Sequence, residues 1–396
     1  MTKSYKLLWG SFCISNVGDW LRKIALPILV FQKTGSAYHM ATLYGITFIP
    51  WILFSILGGV LADKIKKSRI ISYGHFISLF FLTLLIISLQ SSKIEIVVIY
   101  FLTFLLSSTE PLIHPSFQSL LPLTVEKKNL AKANAGIQLV DNTLNLIGPM
   151  ISGVLLLYFT PENSLWVNAA GYLLAGIFVL FINEDDVIQS TDKKSSALND
   201  VKDGIAYVME NKVILSGAVL FLFTNLGINM FQSNLVYFIT DILQYSSFQY
   251  GLILSISGIG AILGAFLAPK LNEKFKAGFV ISVSTMCAGV FTLLLFNATN
   301  YIYIGVVMGL SNLCGNINVI SYFSLRQRIV PQNILGRVVS VTRMISYLAI
   351  PVGAFLGGKL ISLNYSIYLI ILFAGTIRFF AGVFAFLSPL RKSGSE

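Results

Sequence analysis

The chain has 396 residues, of which 55% are hydrophobic and only 11% are charged, and its formal net charge is +11. Soluble domains carry roughly 25% charged residues. This chain therefore cannot cover a soluble surface, which excludes an ordinary cytosolic enzyme, a disordered chain and a disulfide-rich secreted module.

Helical membrane spans are the predicted elements. A bilayer-spanning helix needs about 20 mostly apolar residues, and many stretches of that length contain no Asp, Glu, Lys or Arg. Transmembrane strands are about half as long and alternate polar with apolar residues, so the predicted fold class is an all-α polytopic membrane protein. Twelve transmembrane helices are predicted, at 7–31, 41–62, 70–90, 96–118, 133–158, 165–182, 213–239, 249–269, 277–296, 300–325, 338–358 and 365–387.

The basic residues predict the orientation of the chain. Of the 28 Lys and Arg residues, most fall in loops on the side that holds both termini, and only Lys33, Lys93 and Lys359 lie in loops on the other side. Because cytoplasmic loops carry the excess of Lys and Arg, both termini are predicted to be cytoplasmic, with the protein in the cell membrane. Insertion and contact with anionic membrane lipid explain the net charge, and no nucleic-acid partner is predicted.

A charged segment at 183–211 divides the chain into a six-span N-terminal bundle (1–182) and a six-span C-terminal bundle (212–396). Apolar residues recur with helical spacing in the second part of this linker: Leu198, Val201, Ile205 and Val208. This spacing predicts an amphipathic helix lying against the membrane surface, with a plain solvated linker as the alternative.

The two halves resemble each other, which indicates pseudo-symmetric bundles. Gly58–Ile65 closes the second span much as Gly264–Leu271 closes the eighth, and Gly148-Pro149 in the fifth span corresponds to Pro351 in the eleventh. Parallel six-span repeats with a site between them are a transporter architecture.

Three motifs resemble those of the major facilitator superfamily. The loop Gly59–Arg69 resembles its hallmark Gly-x-Leu-Ala-Asp-Arg-x-Gly-Arg-Lys, with Lys64 in place of Arg and Lys66 in place of the second Gly. Gly148–Gly153 resembles the antiporter signature Gly-Pro-x-x-Gly-Gly, and Gly18–Leu21 resembles the macrolide-efflux and enterobactin-exporter branch. The Arg common in span 4 of proton-coupled exporters has no counterpart here, which leaves the coupling mechanism open.

The resemblance implies a monomeric exporter of a small amphipathic compound (an antibiotic, drug or secondary metabolite). It would be driven by the proton gradient through alternating access, without a bound cofactor. Gly148, Pro149 and Gly153 form an antiporter-like helix whose backbone hydrogen-bond ladder Pro149 loosens. A breakable cytoplasmic latch is implied for the gating loop, a simple surface ion pair at Asp63 being the alternative; the gating-loop residues are Gly59, Asp63, Lys64, Lys67 and Arg69.

Charges inside the spans are the candidate functional residues, because each costs roughly 2.5–3.5 kcal/mol near a helix centre and needs a partner, a cavity or a role. The proton-coupling candidates are Asp19, Glu110 and Asp141, with Arg22, Arg343 and Arg378 as charge partners. Asp19 and Arg22 are three residues apart and can meet on one helix face, either as an ion pair that eases insertion or as a tuned protonatable carboxylate.

Glu110 and Asp141 each have two interpretations. Glu110 is either a proton carrier or a residue that caps a broken helix or pairs with Arg343 or Arg378. For Asp141, a structural or gating pair with Arg343 is favoured over proton transport.

Neutral polar and aromatic residues are the candidates for the substrate cavity: Trp20, His114, Asn225, Asn229, Gln232, Asn312 and Asn316. The amides in the seventh and tenth spans either contact substrate or join helices. The picture is asymmetric, with titration in the first half and neutral recognition in the second.

Four other functions compete with export. An uptake permease is the nearest, and a metal-ion exporter would use Asp19, Glu110 and His114 as ligands. An intramembrane enzyme would need a nucleophile with a base or a His-Glu-x-x-His metal pair, neither of which is found, and a channel would omit the latch between halves. No metal site is predicted.

Overall fold

The protein is entirely helical in the part that the computed structural model describes, which comprises residues 2–91, 95–126, 129–182, 197–298, 300–331 and 334–394. The predicted all-α fold class is therefore confirmed. The first half forms α1 (Lys3–Thr34), α2 (Ala37–Ile46), α3 (Ile49–Lys64), α4 (Lys67–Gln90), α5 (Ile96–Ser107), α6 (Glu110–Leu120), α7 (Leu130–Tyr158) and α8 (Pro161–Leu180). The second half forms α9 (Ala197–Glu210), α10 (Lys212–Gln232), α11 (Leu235–Tyr237), α12 (Ser247–Lys274), α13 (Ala277–Leu294), α14 (Tyr301–Ile329), α15 (Leu335–Ser362) and α16 (Ile367–Leu387).

The helices have the length and composition of membrane spans. Within the described ranges, 10 segments are long and apolar enough to cross a membrane. Neither α1 (32 residues) nor α7 (29 residues) is among them as a whole, and both carry charged residues in their interiors. The count of twelve spans stays a prediction with which these helices are consistent.

Two of the predicted spans are broken helices. The span at 41–62 is divided into α2 and α3, and the span at 96–118 is divided into α5 and α6. Pro50 is the second residue of α3, and Pro111 is the second residue of α6. Proline is compatible with the start of a helix, because its missing N–H has no partner there and its φ angle already fits a helix. Glu110 consequently begins a helix instead of lying in the middle of one.

The chain forms two compact units, Met1–Gly35 with Ile46–Asp192 and Ser36–Gly45 with Lys193–Glu396. Helix α2 therefore groups with the second unit, where the Tyr44 hydroxyl donates to Asn229 Oδ1 at 3.0 Å. A Cβ on Gly45 would lie 3.2 Å from Pro351 Cα, so α2 packs closely on α15. The predicted domain boundaries placed this segment in the N-terminal bundle.

The linker helix α9 packs on the second unit. Asp203 and Arg337 form an ion pair at 2.8 Å, and the Tyr207 hydroxyl donates to the carbonyl of Ile329 at 3.3 Å. Val208 is buried in a cluster with Ile214, Val330, Val338 and Val341. Ile205, assigned to the same apolar face, is 47% exposed, and the side chains of Leu198 and Val201 lie outside the described residues, so the contact of this helix with the membrane surface stays a prediction.

Glycine-mediated contact joins α12 to α14 in the second unit. A Cβ on Gly260 would lie only 1.8 Å from the carbonyl oxygen of Gly309, so the two backbones touch at this point. Small residues permit such close approach between membrane helices. This contact fixes the spacing of two helices that also wall the cavity described below.

Candidate functional site

Asp19 lies at the centre of a cluster in the first unit, here called the acid cluster and consisting of Asp19, Arg22, Glu110 and Tyr172. The Asp19 Oδ1 atom accepts hydrogen bonds from Arg22 Nη2 at 3.2 Å and from the Tyr172 hydroxyl at 2.5 Å. The side chain of Asp19 is 23% exposed and that of Arg22 is 12% exposed, whereas Tyr172 of α8 is buried. The Asp19 carboxyl group therefore has two hydrogen-bond donors, one of them cationic.

His75 forms a second layer behind the acid cluster. Its ring stacks on that of Tyr172 with centroids 5.9 Å apart, and it lies within electrostatic range of Asp19. His75 is buried, and its Nδ1 has no hydrogen-bond partner among the described residues. Neither His75 nor Tyr172 is predictable as part of this cluster, because a lone histidine or tyrosine in an apolar helix carries no spacing signal.

Glu110 is the second carboxylate of the acid cluster. It begins α6, its side chain is exposed, and it hydrogen-bonds with Trp51. It also lies within electrostatic range of Asp19, Arg22 and Lys23. The structure thus brings together two predicted proton-coupling candidates that are about ninety positions apart in the chain.

His114 lies one turn after Glu110 and is likewise exposed. Its ring meets that of Trp51 edge-on, with centroids 5.6 Å apart. Glu110 and His114 therefore share one aromatic neighbour on one face of α6.

Trp20 and Gly148 join α1 to α7. A Cβ at Gly148 would lie 2.8 Å from Trp20 Cγ, so the indole rests directly on the α7 backbone. Pro149, the next residue, is buried inside α7. Gly153 is also buried, one turn further along.

Replacing Gly148 by Ala is expected to lower the stability of the protein, because the new methyl group would displace the root of the Trp20 side chain. Overpacking of this kind costs about 1–3 kcal/mol. Thermal unfolding of the purified protein measures it, and adding Trp20→Leu to the variant should recover the loss. A single Gly148→Ala variant that unfolds at the wild-type temperature would contradict the contact.

Asp141 is half-buried on α7 and lies within electrostatic range of Lys23. The Lys23 ammonium group stands 4.9 Å from the centroid of the Trp20 ring. The predicted pair of Asp141 with Arg343 would join the two units and stays a prediction.

The gating-loop residues lie in the last part of α3 and the first turn of α4. Lys67 begins α4 and is half-buried, and Arg69 is exposed. The surroundings of Gly59 and the side chains of Asp63 and Lys64 lie outside the described part of the structure, so the latch also stays a prediction.

A cavity of about 220 Å³ lies within the second unit, between α10, α12, α13, α14 and α16. It is here called the amide cavity, because Asn225, Asn312 and Asn316 line it. Each of these asparagines also donates its Nδ2 to a backbone carbonyl of a neighbouring helix, at 3.0, 3.3 and 2.6 Å respectively. They therefore join helices, as one of the two predicted alternatives had it, and contact with substrate stays a prediction.

The two remaining predicted amides lie close by. Asn229 accepts the Tyr44 hydroxyl and donates to the Asn225 carbonyl at 2.8 Å. Gln232 lines a smaller adjoining cavity of about 50 Å³ together with Asn312 and Arg378.

Arg378 on α16 has a different environment from the one predicted. It is 5% exposed, and its Nη1 donates to the hydroxyls of Thr292 at 2.6 Å and Ser311 at 2.7 Å. It was predicted to be a charge partner of an intramembrane acid, yet it forms no ion pair with any described residue. The second half contains no acid deep in a span, so hydroxyl groups take the place of a carboxylate.

Arg326 is a buried cation that the sequence analysis assigned to a loop. Helix α14 continues beyond the predicted span end, and Arg326 Nη1 donates to the Thr342 hydroxyl at 2.7 Å. Arg343 is exposed and lies within electrostatic range of Arg326.

The fold is that of known membrane transporters. A variant of the nucleoside transporter NupG superposes with a TM-score of 0.80 at 17% identity, over 97% of this chain and 100% of that one. A bacterial homologue of the iron transporter ferroportin, in its inward-facing state, superposes with a TM-score of 0.75 at 16% identity, over 96% and 97% of the two chains. The protein is a multi-pass membrane protein with the fold of the major facilitator transporters.

The chain belongs to the transmembrane secretion effector family, which matches residues 1–396. The resemblance to the major facilitator superfamily is thereby confirmed. Relatives include the staphyloferrin A transporter of Staphylococcus aureus (24% identical, covering 67% of each chain), macrolide efflux protein A of Streptococcus pyogenes (23%, 56% of each) and the multidrug efflux pump Tap of Mycolicibacterium fortuitum (22%, 87% of this chain and 86% of that one). Several matches thus span about half to two thirds of the relatives' length.

Proposed function

We propose that the protein is a secondary active transporter that exports a small amphipathic compound, such as an antibiotic, drug or secondary metabolite, across the cytoplasmic membrane. It works by alternating access and proton antiport, as a monomer with both termini in the cytoplasm. The acid cluster carries this proposal. The names of the relatives, two of which are efflux proteins, support the outward direction.

The geometry of the acid cluster supports proton coupling. Protonation of Asp19 would neutralise the acceptor that Arg22 and Tyr172 share, and this would weaken a contact between α1 and α8. Glu110 lies within electrostatic range of Asp19, which suits it to exchange a proton with the rest of the acid cluster. Proton occupancy would thereby change how two helices of the first unit are held.

The proton gradient supplies enough energy for efflux. One charge that crosses 100 mV releases about 2.3 kcal/mol. Since about 1.4 kcal/mol corresponds to a tenfold ratio, one proton supports a substrate gradient of roughly 40-fold. No nucleotide hydrolysis is needed for this.

Everted membrane vesicles test the direction and the coupling. They would be prepared from cells with and without the protein and offered erythromycin, ethidium and norfloxacin as probes. Respiration makes the interior of such vesicles acidic, so an exporter that exchanges protons should accumulate at least one probe. A protonophore, which collapses both the pH gradient and the membrane potential, should abolish this accumulation.

Two results would overturn the proposal. Accumulation that persists after both the pH gradient and the membrane potential are collapsed would exclude proton coupling. Accumulation only in right-side-out vesicles would indicate an uptake permease instead.

A further inference from the structure

The amide cavity contains one cation and, among the described residues, no acid. Arg378 lines both the 220 Å³ cavity and the adjoining smaller one. The acids of the second unit whose side chains are described are Asp203, Glu210, Asp241 and Glu273, and all four are exposed. The other titratable group facing Arg378 is the thiol of Cys314.

The guanidinium of Arg378 is only partly satisfied by the protein. One of its nitrogens, Nη1, donates to Thr292 and Ser311, whereas Nε is buried without a hydrogen-bond partner. A buried charge without a counter-charge is costly. Structural anchoring alone does not explain an arginine here, because neutral side chains can also link hydroxyl groups between helices.

Two further side chains that line the same cavity carry unsatisfied polar atoms. Thr224 Oγ1 and Asn318 Oδ1 are buried without partners among the described residues, and both side chains line the cavity beside Arg378. The remaining wall is largely apolar and includes Phe221, Ile228 and Val319. The lining therefore offers one positive charge, a few hydrogen-bonding atoms and an apolar surface.

The geometry points to a binding site for a carboxylate on a compact apolar body, held by Arg378 in the amide cavity. Arginine binds carboxylates through two parallel N–H donors. A cavity of about 150 Å³ suffices for benzene, so 220 Å³ accommodates an aromatic acid. The assignment of this carboxylate to the exported compound rests on the proposed function, whereas the binding site itself does not.

Binding of benzoate to the purified full-length protein in nanodiscs tests the site, with benzamide as a neutral isostere. Benzoate should raise the unfolding temperature and give a saturable calorimetric signal, and benzamide should do neither. Equal effects of the two compounds would overturn the proposal. A separate titration with sodium chloride tests whether the site binds any small anion. If chloride competes fully with benzoate at equal concentration, the carboxylate assignment is overturned.

Arg378→Gln should weaken benzoate binding about tenfold or more, because the charge-assisted hydrogen bonds are lost, and Arg378→Lys should retain part of the affinity. Arg326→Gln is the matched control, since Arg326 is a similarly buried arginine outside the cavity. Unchanged affinity in Arg378→Gln, or an equal loss in Arg326→Gln, would overturn the site. If Arg378→Gln does not fold, the affinity of the Arg378→Lys variant for benzoate and the comparison of benzoate with benzamide on the wild type test whether Arg378 binds the carboxylate.

The transport and binding experiments test separate claims, so one claim can be contradicted while the other stands. A protein that binds benzoate through Arg378 but shows no proton-driven accumulation of any probe retains the site and loses the proposed function. A protein that accumulates a probe but does not bind benzoate retains the proposed function and loses the site.

Discussion

Replacement of Asp19 by Asn, or of Glu110 by Gln, is expected to abolish concentrative transport while substrate exchange down a gradient continues. Neither amide can take up or release a proton. The ratio of substrate concentrations across the membrane, which one proton moving through 100 mV can hold at roughly 40-fold, should therefore fall to one. Energised vesicles measure the concentration ratio, and counterflow without a pH gradient measures exchange. The two readouts separate coupling from binding.

Asp19→Asn also leaves the Arg22 guanidinium without its counter-charge, so a loss of stability has to be distinguished from a loss of coupling. Removing one partner of a fully buried pair costs about 3–5 kcal/mol. This pair will lose less, because its side chains are 12% and 23% exposed. The double variant Asp19→Asn/Arg22→Gln restores the charge balance and should recover stability but not coupling.

Tyr172→Phe is the matched control for the same cluster. It removes the 2.5 Å hydrogen bond to Asp19 but keeps both carboxylates, so concentrative transport should persist at a reduced rate. Normal concentration of substrate by a protein that carries both Asp19→Asn and Glu110→Gln would contradict the assignment of the proton to these two acids.

The sequence predicted the local parts of the acid cluster and missed its long-range parts. Asp19 and Arg22 are three residues apart on one helix, so helical periodicity alone brings them together. Tyr172 and His75 reach the surroundings of Asp19 only because α8 packs on α1 and α4 packs on α8, and one sequence contains no signal for this packing. The chemistry of the cluster was therefore predictable from its charges, but its hydrogen-bond donors were not.

Helix breaks and helix length account for two other differences. The span at 96–118 was predicted as one element, although one of the two interpretations of Glu110 was that it caps a broken helix. The separate helix α6 puts Glu110 at a helix start, beside Trp51. Arg326 was placed in a loop because its charge interrupts an apolar run, whereas α14 continues to Ile329 and the side chain turns toward Thr342. A charge marks the end of a hydrophobic stretch, not the end of a helix.

Arg378 shows how a correct residue can be given the wrong environment. Its position inside a span predicted that it needs compensation, and the structure supplies hydroxyl groups for this instead of a carboxylate. Serine and threonine are common throughout the spans, so their sequence positions do not reveal which of them will meet the arginine. Only the packing of α13, α14 and α16 brings Thr292 and Ser311 to it.

Gly260→Ala is expected to be among the most destabilising single substitutions in the second unit. The added Cβ would lie 1.8 Å from the Gly309 carbonyl oxygen, 2.4 Å from its carbon and 2.7 Å from its Cα. These are backbone atoms in the middle of α14, so no side-chain rotation relieves the clash. Ordinary contact begins at 3.4 Å, which requires α12 and α14 to separate by about 1.6 Å in a tightly packed interior.

Separation on that scale would also break the hydrogen bonds that link the same two helices, from Asn312 to the Ser257 carbonyl and from Asn316 to the Ala261 carbonyl. Overpacking and the lost hydrogen bonds together are expected to cost about 3 kcal/mol or more.

Gly315→Ala in α14 is the matched control, because a Cβ there meets nothing within 4 Å and helix propensity favours alanine by about 1 kcal/mol. Thermal unfolding in detergent compares them: Gly260→Ala should unfold well below the wild type and Gly315→Ala at or above it. The same unfolding temperature for both variants would show that α12 and α14 do not touch at Gly260, in which case the amide cavity that they wall would also need a different shape.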